Sequence, residues 1–167
     1  MFAMLPLLVP SDWAIVPGQS LGHVRIGRNP VSMFDEFGRS TSEDAGAGWA
    51  WATWFGPQGG RLDIFSRRRD DQETVDVRLV RVTSAKFRLA NGLRTGASAA
   101  RFKRAYPGAR TWGRYPSAVG RVTIWDDVRR GVAWEATPSG TVLAITVHAR
   151  REPLPEHFGQ SIRGASQ

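Results

Sequence analysis

Histidine and cysteine are the first residues to consider, because they supply most protein metal ligands and nucleophiles. The 167-residue chain has three histidines, His23, His148 and His157, and no cysteine. No two histidines stand four residues apart, the spacing at which a helix presents both to one metal ion. The lack of cysteine excludes disulfides, thiolate metal sites and thiol nucleophiles. We therefore expect no metal site.

Carboxylates and serines are the remaining candidates for catalysis. The densest acidic cluster, Asp70, Asp71, Glu73 and Asp76, lacks the register of a calcium-binding loop. Glu135 is too isolated to be assigned as a general acid or base. The chain contains neither a phosphate-cradling glycine motif nor a serine in a nucleophile elbow. The sequence therefore predicts a protein that is not an enzyme, with no catalytic residue and no cofactor.

Aromatic residues are the better candidates for function, and the chain has seven tryptophans. Six rings lie on predicted strands or in the connection 110–116, which we interpret as a loop because glycine and proline flank it: Trp49, Trp51, Trp112, Tyr115, Trp125 and Trp134. Alternation along a strand places the first two on one face. An exposed aromatic sheet face is typical of a protein-binding surface, whereas buried strand aromatics are ordinary core. These six residues are our candidate partner-binding site.

The basic residues give an alternative. The net charge is +8, with 21 arginines and two lysines. Five arginines on and around the second predicted helix form a candidate nucleic-acid patch: Arg94, Arg101, Arg104, Arg110 and Arg114. The RNA-binding sheet signature and a helix-turn-helix pair are both absent. A strong excess of arginine over lysine is also what genomic base composition produces, so the charge alone does not decide between the two functions.

Two short helices are predicted from capping signals. Asn29 and Pro30 mark the start of the first, and its apolar residues Met33, Phe34 and Phe37 share one face. The same pattern returns 69 residues later in the segment 96–106, where Ser98 takes the cap position of Asn29.

Three predicted strands follow each helix. Period-two alternation and turn signals place them at 49–55, 61–66 and 74–83, and again at 122–126, 132–137 and 141–149. We therefore predict an α+β fold of two tandem repeats. Each repeat is a short strand, one helix and a three-stranded antiparallel meander, with the helices packed on one sheet face.

The segment 16–27, followed by Asn29, Pro30 and a helix that ends at Phe37 and Gly38, resembles a recurrent bacterial module. The pattern is similar to that of the β-lactamase inhibitory protein and SmpA/OmlA small-lipoprotein group. This resemblance, over about residues 17–149, implies two helix-plus-sheet modules, no catalysis and a sheet surface that binds another protein. The inhibitory protein carries disulfides and the lipoproteins an acylated cysteine, which this chain lacks. We therefore transfer no individual residue.

Four regions follow from this interpretation: an N-terminal arm or signal remnant (1–16), a first module (17–84), a second module (85–150) and a C-terminal tail (151–167). A truncated signal at residues 2–9 would make the protein periplasmic or secreted, and otherwise it is cytoplasmic. No apolar run reaches the ~18–20 residues of a transmembrane segment. The sequence does not identify the partner or the oligomeric state.

The leading hypothesis is a non-enzymatic protein-binding module, inhibitor-like or envelope-associated, that uses the aromatic sheet face and the 110–116 loop. The alternative is nucleic-acid binding through the arginine patch. A third class, an enzyme or small-ligand carrier, would require a pocket with convergent polar groups.

Overall fold

Strands dominate the described part of the chain. The computed structural model describes residues 11–46, 48–56, 60–68, 75–156 and 158–159. Strands make up 49% of the structure and helices 13%. The predicted α+β tandem repeat with a helical layer is therefore wrong, and the fold is mainly β. The two helices have seven residues each, about two turns, which is too little to form a layer over a wide sheet.

The larger sheet has eight strands in the order β4-β5-β6-β7-β12-β11-β10-β9. Each neighbouring pair is antiparallel, which confirms the predicted antiparallel pairing. The strands are β4 (Ser42–Gly46), β5 (Trp49–Phe55), β6 (Arg61–Arg68), β7 (Val75–Val82), β9 (Arg110–Ser117), β10 (Gly120–Asp127), β11 (Val132–Ala136) and β12 (Val142–His148). The six strands predicted from alternation are all present, with ends within two residues of the prediction.

Two edge strands were not predicted. The residues of β4 are all exposed, so this strand carries no apolar alternation by which to recognise it. The connection 110–116 is not a loop, because it forms most of β9. Gly113 and Pro116 are typical of a loop, but an edge strand also tolerates them. An edge strand has a neighbour on one side only, so a proline can stand where the N–H would face away from that neighbour. The prediction that a 110–116 loop contributes to the partner-binding surface is therefore wrong, because this segment is an edge strand.

A smaller sheet of four short strands lies beside the large one, in the order β3-β2-β1-β8. Its strands are β1 (Ala14–Val16), β2 (Ser20–Leu21), β3 (Val24–Arg25) and β8 (Arg88–Leu89), and β1 follows a 3₁₀ turn at Ser11–Trp13. The turn after β1 meets the turn after β10, where the Gly18 amide donates to the Gly131 carbonyl at 3.0 Å. A Cβ on Gly131 would lie 2.7 Å from the Gly18 Cα, and φ at Gly131 is +71°. This close approach therefore requires glycine.

The described residues include the helices α1 (Val31–Phe37) and α2 (Ala99–Ala105). The Ser98 side chain accepts from the Arg101 amide, which confirms its predicted capping role. At α1 the Asn29 Oδ1 accepts from the Val31 amide at 2.9 Å, although Pro30 occupies the cap position itself.

The large sheet is apolar on both faces. Its inner face packs against the helices and the small sheet in one core cluster that includes Phe102 and Trp134, both fully buried. Its outer face carries a second cluster: Phe65, Leu79, Tyr115, Val122, Ile124, Ala133, Leu154 and Phe158. Burying one such large apolar side chain contributes about 1.5–3 kcal/mol to stability. The fold thus has two cores separated by one sheet.

The structure describes only part of the predicted N-terminal arm and of the predicted C-terminal tail. Leu154 and Phe158 are buried against the outer face, so the first part of the predicted 151–167 tail is docked. Residues 1–10 of the predicted N-terminal arm, and residues 157 and 160–167, lie outside the described residues. The module boundaries at 84 and 150 stay a prediction. Within the described residues, no helix is long and apolar enough to span a membrane.

Candidate functional site

Three of the candidate tryptophans lie on the outer face of the large sheet. Trp49 and Trp51 alternate along β5, and cross-strand register pairs them with Arg67 and Phe65 of β6. Trp112 of β9 packs against the same outer-face cluster as Trp51. All three side chains are half-buried. We call Trp49, Trp51 and Trp112 the aromatic face.

Two rings of the aromatic face, those of Trp51 and Trp112, pack against buried rings. Trp51 stacks on Phe65 with centroids 5.1 Å apart and planes 11° apart. Trp112 meets Phe158 edge-on at 5.9 Å, and its Nε1 donates to the Leu154 carbonyl at 3.2 Å. Because stacking and hydrogen bonding fix both rings, a partner would find these surfaces already ordered.

Guanidinium groups lie over two of these rings. The Arg67 guanidinium carbon is 5.5 Å from the Trp49 ring centroid, and that of Arg61 is 5.5 Å from the Trp51 ring centroid. Arg67 is exposed whereas Arg61 is buried. The aromatic face therefore has apolar area next to an accessible positive charge, a combination that suits an apolar partner surface with acidic neighbours.

The other three candidate aromatics are not part of the aromatic face, although Tyr115 belongs to the outer-face cluster. Tyr115 is 5% exposed and Trp134 is 0% exposed, so neither side chain presents a contact surface. Trp134 and Trp125 belong to the inner-face core. The Lys103 ammonium covers the half-buried Trp125 ring at 3.6 Å. The structure thus divides the six predicted residues between the two faces of the sheet.

Beneath the aromatic face lies a buried charge network that the sequence analysis missed. Arg81 of β7 donates to both Glu135 oxygens, at 2.5 and 2.8 Å, and to Asp63 at 2.9 Å. The three residues are between 0% and 5% exposed. Burial alone would lower the pKa of Arg81, but the two carboxylates outweigh it and raise the pKa. Arg81 therefore stays charged between its partners.

Further donors saturate the two carboxylates. Asp63 Oδ1 accepts from the Thr53 hydroxyl at 2.7 Å, from Arg61 Nε at 2.7 Å and from Trp51 Nε1 at 3.3 Å. Glu135 Oε2 accepts from the Tyr115 hydroxyl at 2.6 Å. Burial, together with the negative charge of Glu135, raises the pKa of Tyr115, so the phenol keeps the proton that it donates. The network thus orients Trp51, a member of the aromatic face.

The signal for this network was present in the sequence. Asp63 stands between Leu62 and Ile64 in β6, and Glu135 stands between Trp134 and Ala136 in β11. A charged residue inside an apolar strand is almost always paired when it is buried. Glu135 is isolated in the sequence because its partners, Arg81 and Tyr115, come from other strands.

A second buried pair joins β12 to β10. His148 Nε2 lies 2.9 Å from Asp126 Oδ1, and His148 Nδ1 lies 3.0 Å from the Ala149 carbonyl oxygen. The other oxygen of Asp126 accepts from the Leu154 amide at 3.4 Å. The hydrogen bond from Leu154 ties this pair to the docked tail. The pair therefore has a structural role that its geometry explains.

The five arginines of the alternative site are all exposed. Arg101 and Arg104 lie on α2, Arg110 and Arg114 lie on β9, and Arg94 precedes α2. In the described part of the chain, the cation–π contacts involve other basic residues and none of these five. The structure therefore shows no interleaving of this patch with aromatic rings.

Metal ligands are not clustered in the residues that the structure describes, where no group of three or more histidine, aspartate or glutamate side chains could hold an ion. Of the acidic cluster considered in the sequence, Asp70, Asp71 and Glu73 lie outside the described residues. Asp76 is buried on β7, opposite Arg67.

Comparisons with protein-family models, with curated proteins and with solved structures find no match for this chain. The resemblance to the β-lactamase inhibitory protein and small-lipoprotein group therefore stays a prediction from the sequence.

Proposed function

We propose that this protein is a non-enzymatic binding module that docks another protein on its aromatic face. The observation that carries the proposal is that Trp49, Trp51 and Trp112 are half-buried on one face of the sheet. Ring and hydrogen-bond contacts fix Trp51 and Trp112. Rigid tryptophans with partly exposed rings are typical anchors of protein interfaces, since little conformational entropy is lost when they are covered.

The partner is expected to present an apolar segment flanked by acidic side chains. Arg67 is exposed beside Trp49, and the chain carries a net charge of +8. Complementary charge of this kind raises the association rate and orients the partner. The inhibitor-like or envelope-associated role that the sequence resemblance implies is one form that such docking would take.

A catalytic role has less support. The two carboxylates of the buried network are each engaged by several donors, and Arg81 joins them. A general acid or base needs a free site within reach of substrate, which these saturated groups do not offer.

The proposal is tested by affinity capture from the native cells with wild-type protein and two variants. Trp49→Ala removes an anchor of the aromatic face, and Val31→Ala is the control, since Val31 is 62% exposed on α1. We expect one protein to be retained by the wild type and by the control, and its affinity for Trp49→Ala to fall at least about tenfold. Equal retention by Trp49→Ala would contradict the proposal. Release of the captured material by nuclease would favour the nucleic-acid alternative instead.

A further inference from the structure

A second candidate site lies outside the aromatic face, and none of the three aromatic-face tryptophans lines it. It is a cleft of about 720 Å³ at the end of β5, β6 and β7, beside the segment 83–88. Sites for small organic molecules usually have volumes of about 300–1,000 Å³. The cleft is therefore large enough to hold one.

Aromatic rings converge on this cleft. Trp13, Phe37 and Phe55 line it and are 39%, 40% and 54% exposed, and they are three of the six large apolar side chains that are exposed in the described residues. Trp54 and Phe87 also line it. Exposed rings gathered at one place keep apolar area in water that a ligand would cover.

The rings of the cleft wall are held in place. Trp13 packs edge-on against Phe87 with centroids 5.0 Å apart, and Phe37 packs against Trp54 at 6.1 Å. The Trp54 Nε1 donates to the Gly38 carbonyl at 3.1 Å. Because this indole N–H already has a partner, the wall that Trp54 offers to a ligand is apolar.

Positive charge surrounds these rings. Lys86, Arg88 and Arg94 line the cleft and are exposed, and the Lys86 ammonium lies 5.3 Å from the Trp13 ring centroid. None of the described lining residues is an aspartate or a glutamate. Among the described residues, none of the three cations forms a salt bridge. The cleft therefore has cations available to an anionic group beside an aromatic wall.

We propose that this cleft binds a small organic anion with a flat apolar body, such as an aromatic carboxylate or sulfonate. The rings cover the apolar body, and the cations at the rim pair with the acidic group. None of the three aromatic-face tryptophans lines this cleft, and its ligand is not the protein partner proposed above.

The test is calorimetric titration of the full chain with 2-naphthalenesulfonate. Two further titrants separate the contribution of the charge from that of the aromatic body. The first is the neutral 2-naphthalenesulfonamide, and the second is methanesulfonate, which has no aromatic body. We expect saturable binding of the sulfonate with a Kd below about 1 mM, at least tenfold weaker binding of the sulfonamide, and no saturation with methanesulfonate. Absence of sulfonate binding, or equal binding of sulfonate and sulfonamide, overturns the proposal.

Matched variants locate the binding. Arg88→Gln combined with Arg94→Gln should weaken the sulfonate at least tenfold and leave the sulfonamide nearly unchanged. Phe55→Ser should weaken both, whereas Val119→Ser, at a residue of similar exposure (56%) outside the lining, should weaken neither. Arg121→Gln is the charge control, because Arg121 is exposed on β10 and does not line the cleft.

The remaining outcomes also decide. Sulfonate binding that is unchanged in all of the cleft variants overturns the proposal. A dimer that is detected by analytical sedimentation and dissociated by Phe55→Ser also overturns it, because a second copy of the chain would then fill the cleft. Trp49→Ala should leave sulfonate binding unchanged. Failure of this site and failure of the aromatic face are thus distinguishable.

Discussion

His23 ties three segments together at the surface. Its Nε2 lies 2.8 Å from Asp12, in the turn before β1, and its Nδ1 lies 2.6 Å from Glu36 of α1. Both carboxylates stabilise the imidazolium. The hydrogen bonds to Asp12 and Glu36 raise the pKa of His23 above its ordinary value of 6.5, and the Glu36 charge adds to the effect.

We predict that the His23 ring titrates with a midpoint above 6.5, and that Asp12→Asn and Glu36→Gln each lower it. Since the folded pKa lies above the unfolded one, the contribution to stability is full below about pH 6.5 and is lost as the pH rises through the folded pKa. NMR titration of the ring protons measures the midpoint. High salt should reduce the shift, because the side chain is 46% exposed and its ion pairs are screened. A midpoint at or below 6.5 would contradict the assignment of these contacts.

At the scale of single residues, a helix cap could be predicted from the sequence, whereas the side-chain partners in the buried charge network could not. Ser98 was identified as a helix cap because its partner, the Arg101 amide, is three residues away in the chain. The partners of Glu135 are Arg81 and Tyr115, which lie 54 and 20 residues away. A local pattern contains the first kind of contact but not the second. The buried charge network and the division of the tryptophans between two faces therefore came only with the structure.

At the scale of elements, Arg81 connects strands that are distant in sequence. It lies on β7, its partner Asp63 is on the neighbouring β6, and Glu135 is on β11, with β12 between them. The Arg81 side chain thus reaches across β12, on the outer face of the sheet, to bond Glu135. Charges this deeply buried contribute to stability only while they are paired.

We expect Arg81→Met to reduce the free energy of unfolding by about 3–5 kcal/mol, because it leaves two buried carboxylates without their cation. Arg78→Met is the control. Arg78 is half-buried on the same strand, and its partner Glu152 has a side chain that is 51% exposed, so the loss should be at most about 1 kcal/mol. Denaturant unfolding measures both.

A third variant separates lost charge pairing from lost packing. Adding Asp63→Asn and Glu135→Gln to Arg81→Met removes the uncompensated charges and should recover part of the stability. If Arg81→Met is no more destabilising than Arg78→Met, the network does not hold the sheet together.

Strands were predicted where they lie inside the sheet and were missed at its edges. The six predicted strands, β5 to β7 and β10 to β12, occupy interior positions, and the two missed strands, β4 and β9, are its outermost members. Interior strands have apolar side chains in alternation, which the sequence displays. An edge strand needs fewer such residues and admits glycine and proline, as β9 does at Gly113 and Pro116. The sequence therefore predicts two three-stranded meanders, and the structure adds one edge strand to each of them within a single eight-stranded sheet.

At the scale of the whole molecule, the two halves of the chain share one sheet. β7 and β12 pair at four positions, from Val82 with Ile145 to Leu79 with His148. The inner-face core contains residues from β6, from β11 and from both helices, so the same apolar cluster is shared across this central pair. Neither half buries these residues fully without the other.

We predict that the molecule unfolds in one cooperative transition. Amides of β6 and of β11, one in each half, should exchange hydrogen with the same opening free energy.

Thr146→Pro tests the β7–β12 pair that joins the two halves. Thr146 is buried on β12 opposite Arg81, and a proline there removes a hydrogen-bond donor of the strand ladder. We expect this variant to lower protection in both strands together. Thr123→Pro, on β10 between β9 and β11, is the comparison away from the central pair. If the exchange of β6 stays at the wild-type rate while that of β11 rises in Thr146→Pro, the two halves unfold independently and the prediction of one cooperative transition is wrong.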